Sequence, residues 1–476
     1  TYGLAYGALP TPTRRLFTFG GWWTGDNGTG MQVTGATTAT ATSDHVLYAL
    51  WIRAEYICKP EMDAPLADAG EYDGYFYGTC HSGVGVATAV RGTLSLKITG
   101  MEGRLTAKAG KQKGMLHFDT AAWTATGIEG LRRAVMSTRG GELLDLYVRQ
   151  NRIWGTLAGG SLGGEVFMLD GGRNRFADSA DTRAKALLDG FRGYYTVALP
   201  VADAVSLGSA NVAPQGNGYL TVTVGNNGSA KIAGVLADGT KVSQASRLIL
   251  FDACGPEACV PFFVPLYGKA GCASGLLWID PASRTVVTDR DLGWFVRWEK
   301  PGSGPDGFNE LLDACGGYYG TAASLAAHYL FSADAGGVSY HTGTGELEAA
   351  EGALPAGVEV ESSDGRLVMA KGMKPALAGG AYDYSGMNCA LATLSFSQVT
   401  GIFRGNFNLY YDFITGNKLA HKAVSVPYAG VLTPVRNAAF ADEPAGQGHC
   451  LVPDNDPAVK AYRLKRSKKV VLAVKP

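Results

Sequence analysis

No apolar run in this chain approaches the ~18–20 residues that a membrane-spanning helix needs, and neither sign of charge is in excess. Lys+Arg and Asp+Glu are both 42, so no basic excess exists to draw nucleic acid or anionic lipid by releasing counterions. No secretory leader stands at the N-terminus. The chain opens on Thr1 rather than Met, and an upstream segment removed by cleavage is the expectation. Charged residues are only 18%, below the usual share of about 25%. Helix signals are scarce too. The few short helices expected cover Arg183 to Asp189, capped by Asp178 and Ser179, then Phe308 to Ala314 and Ala322 to Leu330.

Motifs that carry chemistry are almost absent. There is no CxxC, no His at zinc-finger spacing from a Cys pair, no HExxH and no P-loop lysine motif. Gly159-Gly160-Ser161-Leu162-Gly163 fits G-x-S-x-G, but a nucleophile elbow needs a helix after the serine. Here Glu165 to Leu169 reads as a strand, so a hairpin turn is the expected reading. His449 and Cys450 are adjacent, which on a strand points the two side chains apart rather than together. Asp289-Arg290-Asp291 and Asp454-Asn455-Asp456 offer oxygen ligands for Ca²⁺ but lack EF-hand spacing, and surface turns are the favoured reading. No catalytic residue, cofactor-binding residue or other metal is assigned. A glycoside hydrolase pair is set by geometry across a cleft and has no local signature, so it stays the least favoured alternative.

What is abundant is glycine, 66 of 476 residues, lying between short alternating segments. Hydrophobic content of 46% argues against disorder, and the length predicts roughly three domains. Leu187-Leu188-Asp189 precedes Gly193-Tyr194-Tyr195, and Leu311-Leu312-Asp313 precedes Gly317-Tyr318-Tyr319, at an offset of 124 residues. Gly74-Tyr75-Phe76-Tyr77 is a looser third copy. Each opening leads to alternating strands around a short turn, such as Tyr219 to Val224, Asn226-Asn227-Gly228, then Ala230 to Val235. Period-2 strands on glycine turns mark antiparallel meanders. The fold class is therefore all-β, with tandem β-barrel or β-sandwich modules and few helices. The expected division is a repeat over 1–52, a linker over 53–73, and modules over 74–184, 185–302 and 303–476. The last carries an insertion at 321–390.

The first segment is the most specific. Tyr6 to Arg14 reads YGALPTPTR, Phe19 to Trp23 reads FGGWW, and Asp44 to Trp51 reads DHVLYALW. These residues resemble the internalin-type B repeat, or Listeria–Bacteroides repeat, a small β-grasp-like module of bacterial surface proteins. The resemblance covers about a tenth of the chain and implies a secreted or cell-surface location. Only Thr1 to Leu4 remain of the region that opens the family's repeat, so the repeat is partial. Other phrases, Thr400 to Phe407 and Tyr428 to Leu432, resemble uncharacterised Gly-rich repeats of secreted bacterial proteins.

Candidate sites follow from this setting. Eight cysteines, an even number, point to disulfides in an oxidising compartment. The expected pairs are Cys254–Cys259, Cys58–Cys80, Cys272–Cys315 and Cys389–Cys450. Trp22 and Trp23 are adjacent, so on a strand they face opposite ways and one is a candidate ligand-binding ring, with core filling as the plainer role. The basic C-terminal strand, with Val470, Val471, Leu472 and Val474, is either a lysine-protected edge or an assembly strand pairing head to tail with another copy. The function expected is a non-enzymatic structural or adhesive surface protein whose partners are other copies or cell-surface proteins. A carbohydrate-binding array is the alternative.

Overall fold

The alternating sequence folds into antiparallel sheets, as the period-2 pattern requires. The computed structural model describes the chain apart from residues 1, 13–16, 26–29, 54–68, 83–84, 100–103, 112–113, 127–130, 150, 203–213, 252–256, 290–292, 303–306, 321–337, 343–357, 364–365, 370–373, 375, 384–389, 398, 416–417, 434–445, 454–464 and 475–476. The all-β class holds, with one α-helix among the described residues. The expected helix over Ala322 to Leu330 lies outside them.

The N-terminal sheet has three strands, β1 (Phe17–Trp23), β2 (Gln32–Val33) and β3 (Tyr48–Arg53), in the order β2-β1-β3. The next sheet runs through β4 (Gly70–Ser82), β5 (Gly85–Thr99), β6 (Arg104–Lys111), β7 (Gly114–His117), β8 (Thr124–Ala125), β9 (Arg132–Ser137), β10 (Glu142–Arg149), β11 (Arg152–Gly159) and β12 (Val166–Arg173). Its spatial order is β7-β6-β5-β4-β12-β11-β10-β9-β8. The segment after β7 ties the two ends together: Leu105 N donates to Ala121 O and Asp119 N to Ser137 O. The result is a nearly closed barrel around Phe76, Leu94, Leu105, Leu146 and Ile153.

Helix α1 (Thr182–Phe191) leads into the second barrel. Asp181, not the expected Asp178 or Ser179, is its N-cap, accepting from Ala184 N at 2.8 Å. Ala184, Leu188 and Phe191 fall on one helix face and enter the barrel core. The barrel strands are β13 (Gly193–Leu199), β14 (Gly218–Val224), β15 (Ser229–Val235), β16 (Lys241–Arg247), β17 (Ile249–Phe251), β18 (Glu257–Leu266), β19 (Gly271–Ile279), β20 (Thr285–Val287), β21 (Val296–Lys300), β22 (Phe308–Leu312) and β23 (Cys315–Tyr318). β16 pairs with β15, and β17, one residue further on, pairs with β18. That near-continuous strand joins both arms of the sheet and closes it. The segment from Phe308 is a strand, correcting the helix expected there. Its residues alternate, with Leu312 in the barrel core and Leu311 against Ala87 and Ala89 of the first barrel. Gly317-Tyr318 is likewise part of this second sheet, where Tyr318 sits opposite Tyr195.

The third sheet holds β24 (Val338–Thr342), β25 (Val358–Ser363) and β26 (Arg366–Met369). A hairpin of β27 (Ala376–Ala378) and β28 (Ala381–Asp383) follows. The sheet then continues with β29 (Thr393–Phe396), β30 (Ile402–Thr415), β31 (Lys418–Leu432), β32 (Gly446–Pro453) and β33 (Lys465–Val474). Its order is β26-β25-β24-β33-β32-β31-β30-β29. β24, β25 and β26 fall in the stretch read as an insertion, and β24 pairs directly with β33.

The barrels meet through two unlike surfaces. The first and second share an apolar cluster of Tyr75 and Val90 with Ile249, Phe251, Phe263, Leu276 and Trp278, and Ser274 Oγ donates to Val90 O at 2.8 Å. The second and third meet through polar groups. Asn217 Nδ2 donates to Gln447 Oε1 at 2.6 Å, Asn217 N donates to Gly448 O at 3.1 Å, and Lys468 Nζ donates to Gln215 Oε1 at 2.9 Å.

Glu310 on β22 lies opposite Trp298 and faces the core of the second barrel. It is buried, and its Oε2 has no hydrogen-bond partner. Burial raises this carboxyl to about 7. The unfolded chain gives up that proton near the ordinary value of 4.5, so stability falls as pH climbs from there to about 7. Glu310→Gln should therefore raise Tm at pH 8 and leave it unchanged at pH 4, as thermal unfolding followed by circular dichroism would show.

Candidate functional site

The geometry of β1 decides which tryptophan is presented. Gly21 takes φ +96, and the strand bulges between Phe19 and Trp22, a backbone step that glycine permits cheaply. The bulge places Phe19 and Trp22 in edge-to-face contact, centroids 5.5 Å apart. Trp22 Nε1 donates to Pro10 O at 2.8 Å, and its register partner Val33 is buried. Trp22 is thus the inner ring of the repeat. Trp23 sits on the opposite face, with exposed Gln32 across from it on β2 and Tyr48, 43% exposed, across from it on β3. Trp23 is half-buried, and its indole N–H donates to Gly20 O at 3.3 Å. An amide, an indole and a phenol therefore form one outward rung. Residues 1–50 match the model of the Listeria-Bacteroides repeat domain.

The match supports a surface-associated extracellular protein. The comparison with curated proteins returns no match for the chain. Among solved structures, one described as AttH from Nitrosomonas europaea is 8% identical, spans 54% of this chain and 95% of its own, and has a TM-score of 0.16. That likeness is too slight to carry an argument. No described helix is long and apolar enough to cross a membrane.

The C-terminal strand does not serve as the assembly strand expected of it. Val470, Val471, Leu472 and Val474 lie in β33, which pairs with β24 on one edge and β32 on the other. Val470, Val471 and Leu472 are paired on both edges and Val474 on one, so these residues are engaged within the chain.

The cysteines also depart from expectation. Cys272 and Cys450 carry free thiols in buried positions, so the Cys272–Cys315 and Cys389–Cys450 bridges are not formed. The reason is direction. Cys272 on β19 faces the first barrel, with Arg297 Nη1 3.4 Å from its sulfur. Cys315 on β23 faces the third sheet, with Gln447 Nε2 3.7 Å from its sulfur. Burial pushes the Cys450 thiol up to about 12 and that of Cys272 above its usual value, so neither is a ready nucleophile. Cys259 is buried on β18. Cys58, Cys254 and Cys389 lie outside the described residues, as does the side chain of Cys80.

Ser161 is tied into a turn. It sits in a short 3₁₀ segment after β11, not before an α-helix. Its Oγ donates to Glu142 Oε1, its N–H donates to the same oxygen at 3.1 Å, and Lys111 Nζ donates to its Oγ. Hydrogen bonds from Ser161 and then Thr138 hold the Glu142 carboxyl down to about 2, which makes it a poor base for that hydroxyl. His449 donates Nδ1–H to Asn217 O at 3.1 Å and is kept neutral by burial. Among the described residues no three His, Cys, Asp or Glu side chains converge as a metal site. Asp291 and Asp454 to Asp456 lie outside them. A trough of about 530 Å³ on the third sheet, lined by Arg404, Asn406, Ala429 and His449, had no signal in the sequence.

Cys272 and Cys450 should resist a thiol reagent in the native protein and react without reductant once unfolded. Cys272→Ser and Cys450→Ser should each lower the unfolded thiol count by one. A count that instead rises by one in either variant, because the stranded partner thiol becomes reactive, would place that sulfur in a disulfide.

Proposed function

We propose that this chain is an adhesive surface protein that acts by binding rather than by catalysis. The observation that carries the reading is the Listeria-Bacteroides repeat at residues 1–50. The engagement of Ser161 and the raised thiols of Cys272 and Cys450 favour it as well. Antibody raised against the barrels should label intact, unpermeabilised cells of the native host or collect protein from the medium. Confinement to the cytosol would overturn the proposal.

Carbohydrate binding is favoured by one particular feature, the Gln32–Trp23–Tyr48 rung on the outward face of the repeat. Flat rings pack against the C–H faces of sugars while an amide meets their hydroxyls. Trp23→Ala should lower binding to glycans on the host or target surface about tenfold and leave the fold intact. Trp22→Ala removes the inner ring and should disturb the near-ultraviolet signal of the repeat. Equal glycan binding by Trp23→Ala and the parent chain would reject the face.

A further inference from the structure

The trough on the third sheet is formed by register rather than by any contiguous motif. Ser395 lies opposite Arg404, Arg404 opposite Ala429, Ala429 opposite His449, and His449 opposite Lys469. These residues share one face across five strands, a span of about 19 Å at ~4.8 Å per strand step. The small side chain of Ala429 leaves a depression between Arg404 and His449. The next positions on the same face of these strands, Thr393, Asn406, Pro427 and Leu451, continue the lining, with Lys465 beyond them. Buried Tyr219 of the second barrel reaches across the rung of Arg404 and His449, its ring 6.3 Å from His449 and its hydroxyl hydrogen-bonded to Arg404, and the lining continues from there toward Asn406 and Leu451.

The chemistry of this lining is one-sided. Arg404 and Lys465 are exposed cations, while no carboxylate is among the described lining residues. Asp238 of the second barrel is nearby but is engaged by Tyr267 OH at 2.7 Å and by Thr240 N at 2.8 Å. Asn406, Ser395 and Thr393 supply polar groups, and Pro427 and Leu451 supply apolar surface. We propose that the trough binds a saccharide chain bearing carboxylates. Arg404 and Lys465 pair with the acid groups by charge-assisted hydrogen bonds, and the sugar rings lie along Ala429, Pro427 and Leu451. An acidic peptide fits less well, because extended peptides bind by adding to a free strand edge. This trough crosses the face of strands already paired on both sides. The site is separate from the Trp23 rung and does not rest on it.

The test uses the full chain and isothermal titration with four probes: a hyaluronan hexasaccharide, neutral chitohexaose, hexaglutamate and inorganic phosphate. The hexasaccharide should bind, with chitohexaose at least tenfold weaker and the two non-sugar anions weaker still. Arg404→Gln with Lys465→Gln should cut hexasaccharide affinity about 10–100-fold, as expected for loss of two charge-assisted contacts. Ala429→Leu should block the trough while leaving both charges in place. Trp23→Ala should bind like the parent, which separates this site from the face on the repeat. Far-ultraviolet circular dichroism should match the parent for the double charge variant, since both side chains are exposed. Absence of hexasaccharide binding, or binding unchanged in the double variant, would overturn the proposal. So would equal affinity for hexaglutamate or phosphate, since that would leave an anion site without sugar recognition. Chitohexaose binding as tightly would remove the role of charge.

Discussion

A strand with an unpaired edge is a row of unsatisfied donors and acceptors, and the described residues of this chain form more than thirty strands. The architecture follows from satisfying those rows internally. The second barrel closes because β16 and β17 together serve both arms of the sheet. The first is tied by the segment after β7, whose backbone bonds to β6 and β9. In the third, β33 is enclosed between β24 and β32. Because so much edge is consumed inside the chain, the barrels are left to present faces, and the surfaces on which we place recognition are strand faces.

Those faces have been divided between two physical regimes. Between the first and second barrels, aromatic and aliphatic side chains from Tyr75 to Trp278 exclude water, and Arg152 lies 3.9 Å over the Phe251 ring. Such a contact is non-directional and tolerates small rotations. Between the second and third, buried Asn217, Gln447 and His449 and half-buried Gln215 form directional hydrogen bonds. Leaving any of them unmet costs about 1–3 kcal/mol, so this junction admits one orientation.

The alternation of apolar and polar residues made the strands and the all-β class legible, because the side-chain period on a strand is fixed at two. Which strands become neighbours was not legible. Gly193-Tyr194-Tyr195 and Gly317-Tyr318-Tyr319 read as the openings of successive modules, yet Tyr195 and Tyr318 face each other in one sheet. Local sequence carries spacing and not pairing partners. The same limit explains the cysteines, where nearness in sequence said nothing of the side toward which Cys272 and Cys315 point. Phe308 to Leu312 failed as a helix because pairing with β21 and packing on two barrels overrode a local Leu-Leu signal. At Trp22 and Trp23 the opposite facing was readable. The double glycine at Gly20 and Gly21 could also have told which ring turns outward, since it marks a bulge. The trough had no comparable marker, because its lining comes from strands spread over residues 393–465.

The position of β33 also bears on how the chain carries load. Of its ten residues, Lys465 to Leu472 are laddered to β32 and Val470 to Val474 to β24. A pull along this strand would strain many hydrogen bonds at once, whereas a pull across a hairpin breaks them one pair at a time. The third sheet therefore holds its final strand in shear, a geometry that resists rupture under tension far better than peeling does. Under the surface role proposed above, where flow would drag on whatever is bound, this strand would double as a mechanical anchor.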